Sequence, residues 1–224
     1  MALYKYIPIA SSRHTSTDAY YCAQRPSREM DFKLMDYETY TFFPPLRPEQ
    51  AIPPDLIRDC EARGFIAQIK KNGTNNAITV SPGHELTTTT RYGTSHKLWT
   101  PSGVSGQIFR SLPGNGWYVL NAELLHSKTA QIKDVNFIFD IYLHRSQKLI
   151  DHTFAQRQAL LFALFVDQIA GEERDRFILN ANTWLAKSFR SGLTTLFHSL
   201  VEKEDEGLVL RDPQAKWSAR PYAF

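Results

Sequence analysis

Between Gly64 and Leu143 the apolar residues come in short runs rather than at helical spacing, and this limits the fold more than any other feature of the chain. The segments GFIAQIK, Ala77 to Val80, Leu86 to Tyr92, Trp117 to Leu125 and Val135 to Leu143 have strand length and strand-like composition. Side chains on a strand alternate between two faces, so such runs must pair into sheets before they bury anything. Later the period changes: Asp151 to Ala170 carries apolar residues at helical spacing, and Thr183 to Leu200 reads as a second amphipathic helix. An acidic turn, EKEDE, then leads into a last strand, GLVLR. Upstream, Pro54 opens a short helix over Leu56 to Ala62 that Gly64 stops. The prolines at 44, 45, 48, 53 and 54 exclude regular helix or central strand, and residues 1–40 read as an irregular segment. The expected class is α+β.

The chain has 224 residues, 42% hydrophobic and 22% charged, enough for a substantial core. The longest apolar run, Leu160 to Val166, falls well short of the roughly 18 residues a membrane span needs, so no membrane partner is expected. Lys5 interrupts the apolar start, which argues against a secretory signal and for a cytoplasmic protein. Cys22 and Cys60 have no neighbours at ligand spacing, giving neither a disulfide framework nor a zinc site. A net charge of +3 permits nucleic-acid binding without requiring it.

Taken alone, KKNG at 70–73 reads as a type I′ hairpin turn, with Lys70 beside its tip. More telling is the ordered series that follows: TRYG at 90–93, AELLHSK at 122–128, FIFDIYL at 137–143 and DEGLVLRDP at 205–213. In this order, and preceded by FFPPLRPEQAIPP, the segments resemble the covalent nucleotidyltransferases, that is, ATP-dependent DNA and RNA ligases and capping enzymes. The likeness runs over roughly residues 40–215 and is to the adenylation domain of small bacterial or phage-type DNA ligases. It implies two mainly antiparallel sheets flanked by helices with the nucleotide between them, a domain over residues 41–224, and no C-terminal oligonucleotide-binding (OB) domain in this chain.

The resemblance also implies roles. Lys70 becomes the nucleophile that takes AMP from ATP as a lysyl-AMP phosphoramidate, which requires nearby positive charge or desolvation to lower its pKa. Gln68, two residues earlier on the same strand face, reads the adenine edge; by its residue type alone a solvent-facing glutamine is equally expected. Arg91 contacts sugar or phosphate with planar donors. Glu123 holds the ribose hydroxyls or metal-bound water, and Phe139 stacks on adenine, with Phe137 as the alternative stacker. Glu206 helps place Mg²⁺, a hard ion suited to polyphosphate. Lys216 stands for the lysine pair of the family's last motif.

The pattern is not complete. Asn72 replaces an aspartate, Ala122 a glycine, and Asn75 an arginine, and Lys216 has no lysine partner one residue away. The expected substrate is nicked or broken DNA, with RNA as the alternative. Guanylyl transfer to an RNA end and a catalytically degenerate nucleic-acid-binding module are the competing functions. His126 and Lys128 read as solvated loop residues near the cleft.

Overall fold

A computed structural model describes residues 4–8, 50–114, 116–129, 131–201 and 206–216. The chain forms two sheets whose inner faces meet, each backed by helices. The smaller sheet has the order β2 (Gln50–Ala51), β1 (Tyr4–Pro8), β12 (Gly207–Arg211), β3 (Ile66–Lys70). Its outer face carries Ala67, Ile69, Leu208 and Leu210 against α1 (Ile57–Ala62) and α4 (Leu193–Val201), closing a core with Ile57, Cys60, Leu196 and Leu200. Period-two alternation therefore turns Gln68, Lys70 and Val209 inward, towards the other sheet.

The larger sheet runs β5 (Leu86–Thr89), β4 (Thr74–Val80), β6 (Tyr118–Leu125), β7 (Val135–His144), β11 (Thr183–Ala186), β10 (Arg176–Asn180), β9 (Gly171–Glu172), with β8 (Gln147–Lys148) added beside β7. Pairing is antiparallel except for β11 with β7 and, in the smaller sheet, β1 with β2. Ile78, Leu120, Ala122 and Ile138 pack outward against α2 (Gly103–Arg110) and α3 (Phe154–Phe165). Thr153 starts α3 with a capping box, its side chain accepting from the Gln156 amide while the Gln156 side chain accepts from the Thr153 amide. Among the described residues no helix is long and apolar enough to cross a membrane.

Three expectations need correction. KKNG is not a hairpin: β3 pairs with β12 in one sheet and β4 with β5 and β6 in the other, so residues 71–73 cross between sheets. Neither Asn72 nor Gly73 has the positive φ of a type I′ turn. Gly73 is needed for proximity instead, because a Cβ there would lie 2.6 Å from Glu123 Cγ and 2.6 Å from the Leu124 carbonyl oxygen. Second, the helix expected over Thr183 to Leu200 is a strand followed by a helix. Thr183 and Leu185 are buried in the pairing with β7, Gly192 breaks the chain direction with φ +67°, and Glu61 caps α4 by accepting from the amides of Gly192 and Leu193 at 2.7 and 3.0 Å. Third, Tyr4–Pro8, placed by composition in an irregular segment, pairs with all five residues of β12. The rest of residues 1–40 lies outside the described residues.

One irregularity shapes the interface between the sheets. The register of β6 on β7 shifts between Asn121 and Ala122, which pair with Asp140 and Ile138, so Phe139 has no ladder partner. Ile138 and Ile141, three residues apart, both enter the outer core, which a regular strand forbids. The bulge turns Asp140 with Phe139 towards β12. There Asp140 accepts from Arg157 Nε at 2.9 Å, Arg157 Nη2 at 3.1 Å and Arg211 Nη1 at 3.1 Å. All three side chains are buried, and together they tie α3, β7 and β12.

Candidate active site

Lys70 is the last residue of β3, opposite Gly207 at the start of β12. This register sets Glu206 beside it, and the Lys70 ammonium pairs with Glu206 Oε2. The crossover then carries the chain to β4, whose Asn75 lies opposite Glu123 of β6. Glu123 accepts from the Gly73 amide, and Lys128 Nζ donates to the Gly73 carbonyl at 2.6 Å. Arg91 sits in a turn that Gly93 closes with φ +73°, and it is near enough for its charge to act on both Lys70 and Glu123. Three cationic side chains and two carboxylates thus gather around a crossover of three residues.

The electrostatics suit an attacking amine. Burial lowers the Lys70 pKa, and the charges of Lys128 and Arg91 push the same way against the opposing pull of Glu123. Burial also raises the Glu123 carboxyl to about 7, even though Lys70, Arg91, Lys128 and the Gly73 amide all favour its charged form. Next to Lys70, the Lys71 side chain turns away and forms an ion pair with Asp175 at 2.5 Å. Burial alone would raise the Asp175 pKa, but the hydrogen bond and charge of Lys71 outweigh it and leave it below the ordinary value. Lys71 thereby anchors the crossover to the turn before β10.

Gln68 is buried, at 2% exposure, not solvent-facing. Its amide nitrogen reaches the Phe139 carbonyl, Gln158 Oε1 and Ser188 Oγ. Phe139 is half-buried in the interface, with the Arg211 guanidinium 5.4 Å from its ring centroid. Phe137, the alternative stacker, is 2% exposed, directly opposite Glu123 and 5.9 Å from Lys71 Nζ. Phe139 is the more accessible ring.

The structure brings together Lys70, Glu123, Glu206 and Arg91, with Gln68 and Phe139 on the facing inner surfaces. It does not bring Lys216 to them. Glu206 and Lys216 lie beyond opposite ends of β12, and Lys216 is exposed and bridges through its backbone to Thr153 at the start of α3. Asn75, where the resemblance has an arginine, is buried and donates to Asn121 Oδ1 at 2.8 Å, so it belongs to the sheet. Lys128, expected as a solvated loop residue, belongs to the site, whereas His126 pairs with Asp134 at 2.7 Å. Arg157 and Arg211 were not foreseen. Their signal was available: Arg157 shares a helical stripe with Phe154, Leu161 and Phe165, and an arginine on a buried stripe demands a buried partner.

For a divalent ion, Glu206 and Glu123 supply hard carboxylate oxygens close to the Lys70 amine. Mg²⁺ commonly takes one or two carboxylates and completes its shell with water and substrate phosphate, so this donor set fits it.

Residues 118–222 match the family model described as ATP dependent DNA ligase domain, a stretch holding Glu123, Phe139 and Glu206 but not Gln68, Lys70 or Arg91. No curated protein matches the chain. The solved structure named Pmar-Lig_PreS3 is 16% identical, with a TM-score of 0.52 over 69% of this chain and 40% of that one. Pmar-Lig_Pre. is also 16% identical, with a TM-score of 0.50 over the same shares. The ligase domain from M. tuberculosis LigD is 13% identical, with a TM-score of 0.47 over 69% of this chain and 50% of that one. At 16% identity the likeness to the first two is one of fold, and this chain spans 40–50% of the length of these structures.

Proposed function

We propose that the chain transfers adenylate through Lys70 and seals breaks between a 5′-phosphate and a 3′-hydroxyl in DNA, because residues 118–222 match the model of an ATP dependent DNA ligase domain and the two-sheet fold is similar to that of solved ligase structures. The observation that carries this reading is the lowered pKa of Lys70 within a cluster of Arg91, Lys128, Glu123 and Glu206. A neutral amine is the reactive form, and burial together with two cations shifts Lys70 towards it. The same cations suit the negative charge that a triphosphate brings.

In the first step the Lys70 Nζ lone pair attacks the α-phosphorus of ATP. A P–N bond forms, the bond to the β-phosphate oxygen breaks, pyrophosphate leaves, and the amine gives up a proton. Glu123, whose carboxyl titrates near 7, is placed to take that proton. A 5′-phosphate oxygen then displaces Lys70 from the α-phosphorus, and the lysine regains its proton. Finally the 3′-hydroxyl attacks the activated 5′-phosphate, and AMP departs. Glu206 orients Lys70 before reaction and, with Glu123, would hold Mg²⁺, which when bound neutralises phosphate charge. Phe139 supplies a base-stacking face and Gln68 a base-edge contact.

The test is incubation with Mg²⁺ and α-labelled ATP, followed by denaturing separation of the wild type and Lys70→Ala. The reading expects a labelled band in the wild type that Lys70→Ala lacks. Label retained by Lys70→Ala would overturn Lys70 as nucleophile. Sealing of nicked DNA compared with nicked RNA then assigns the acceptor.

A further inference from the structure

The Gln68 side chain is held in one orientation by the Phe139 carbonyl and by two side chains, Gln158 and Ser188, that lie outside the ligase motifs. Its Nε2, with two protons to give, lies 3.3 Å from the Phe139 carbonyl oxygen, 3.0 Å from Gln158 Oε1 and 3.3 Å from Ser188 Oγ, which share them. Gln158 Nε2 donates to that same carbonyl at 2.8 Å, and the Ser188 hydroxyl donates to Gln158 Oε1 at 3.1 Å. The polarity of this relay has a fixed origin. A backbone carbonyl only accepts, and the Phe139 carbonyl faces two amide nitrogens because the bulge frees Phe139 from a ladder partner. Flipping Gln158 would set oxygen against oxygen at Phe139, and flipping Gln68 would do so at both Phe139 and Gln158.

One atom is left over. Gln68 Oε1 is buried and has no hydrogen-bond partner. An orphaned buried acceptor is costly, and a donor brought by a ligand relieves that cost. Gln68 shares its strand face with Lys70 two residues on, roughly 7 Å along β3, and it touches the residue whose ring is the accessible stacking face.

Resting on the nucleotide reading above, we propose that Gln158 and Ser188 are positioning residues that set base selectivity: by locking Gln68 with its oxygen free, they make the site accept a purine carrying an amino group at position 6 and reject one carrying an oxo group there. Adenine offers a donor to Gln68 Oε1, whereas the 6-oxo group of hypoxanthine sets acceptor against acceptor. A site built around one such contact discriminates strongly, because the mismatched base leaves buried groups unpaired. Gln158 and Ser188 also line a cavity of about 440 Å³ beside α3, so both are reachable from solvent and their replacement leaves the outer cores intact.

The experiment compares labelling of Lys70 by ATP and by inosine triphosphate in the wild type, Gln158→Leu and Ser188→Ala, with the Tm of each protein measured in parallel with and without each triphosphate. The wild type is expected to prefer ATP by about tenfold or more, and both variants are expected to lose most of that preference while remaining folded. Equal use of the two triphosphates by the wild type, or an unchanged preference in both variants, overturns the proposal. Should Gln158→Leu not fold, Ser188→Ala decides alone. Should no label form on the wild type, Lys70 is not acting as a nucleophile, and the selectivity is read from the Tm shifts. A larger ATP shift in the wild type that the variants lose supports the relay, whereas equal shifts, or none with either triphosphate, overturn it.

Discussion

Two charged clusters bridge the same pair of sheets, one near each end of β12, and they are built on opposite plans. At the Arg211 end, Asp140 receives Arg157 through both carboxylate oxygens, Arg211 through one, and the Ile141 amide at 2.9 Å. Every member is buried, and the carboxylate's demands are met. At the Glu206 end, Lys70, Arg91 and Lys128 face Glu123 and Glu206, the ion pair of Lys70 is about a third exposed, and burial displaces the pKa of Lys70 downward and that of Glu123 upward. The first arrangement resists change because removing one partner leaves a buried charge uncompensated. The second has cationic charge to offer an incoming anion and a proton near its titration point. Burial with a fully hydrogen-bonded carboxylate sets the Asp140 cluster apart, and partial exposure with shifted titration is what a site for chemistry calls for.

Substitutions separate the two plans. The largest effect expected is at Lys70: Lys70→Ala removes all covalent labelling from ATP, yet unfolding in denaturant shifts by less than about 1 kcal/mol, since a partly exposed ion pair contributes little. A large stability loss would mean that this cluster too is structural. Asp140→Asn should do the reverse, lowering stability by about 3–5 kcal/mol because it strands two buried guanidinium groups. Chemical denaturation measures it, and a loss under about 1 kcal/mol would remove the contrast.

A smaller effect follows from Glu123. Its carboxyl titrates near 7 in the folded chain against an ordinary 4.5, so between those values the folded chain holds a proton that the unfolded chain has released. Stability contributed by Glu123 therefore falls as pH rises through that window. Glu123→Gln does not titrate, and above pH 7 it should gain on the wild type by something of order 2 kcal/mol relative to their difference near pH 4, allowing for partial exposure. Parallel stability curves for the two proteins would contradict the raised pKa. The smallest effect belongs to Lys216→Ala, which should leave labelling from ATP within about twofold, because Lys216 bridges to Thr153 beyond the far end of β12. A loss of tenfold or more in the labelling rate would show that Lys216 reaches the site.

That Lys70, Arg91, Glu123 and Glu206 lie together was largely legible, because they sit in short segments whose order sets them apart. Lys70, Glu123 and Glu206 converge since β3 and β6 end, and β12 begins, on one side of the interface. What failed were inferences from local signals that long-range pairing overrides. Asn72-Gly73 is a strong turn signal, but Gly73 serves close approach to β6 while its flanking strands join different sheets. Thr183 to Leu200 has helix-compatible spacing, yet Thr183–Ala186 is captured by pairing with β7. The bulge at Phe139 was invisible, and with it the inward turn of Asp140 and the freed carbonyl that orders Gln68.

The smaller sheet also bears on how the protein is made. Its central pair joins Tyr4–Pro8 to Gly207–Arg211, whereas the larger sheet uses only residues 74–186. During synthesis, which proceeds from the N-terminus, the larger sheet can assemble while β12 is still unmade. Lys70 and Glu206 therefore meet only after more than nine-tenths of these residues have left the ribosome. A nascent chain lacking β12 has Lys70 but not its carboxylate neighbour, so the candidate site is complete only once translation has passed that strand.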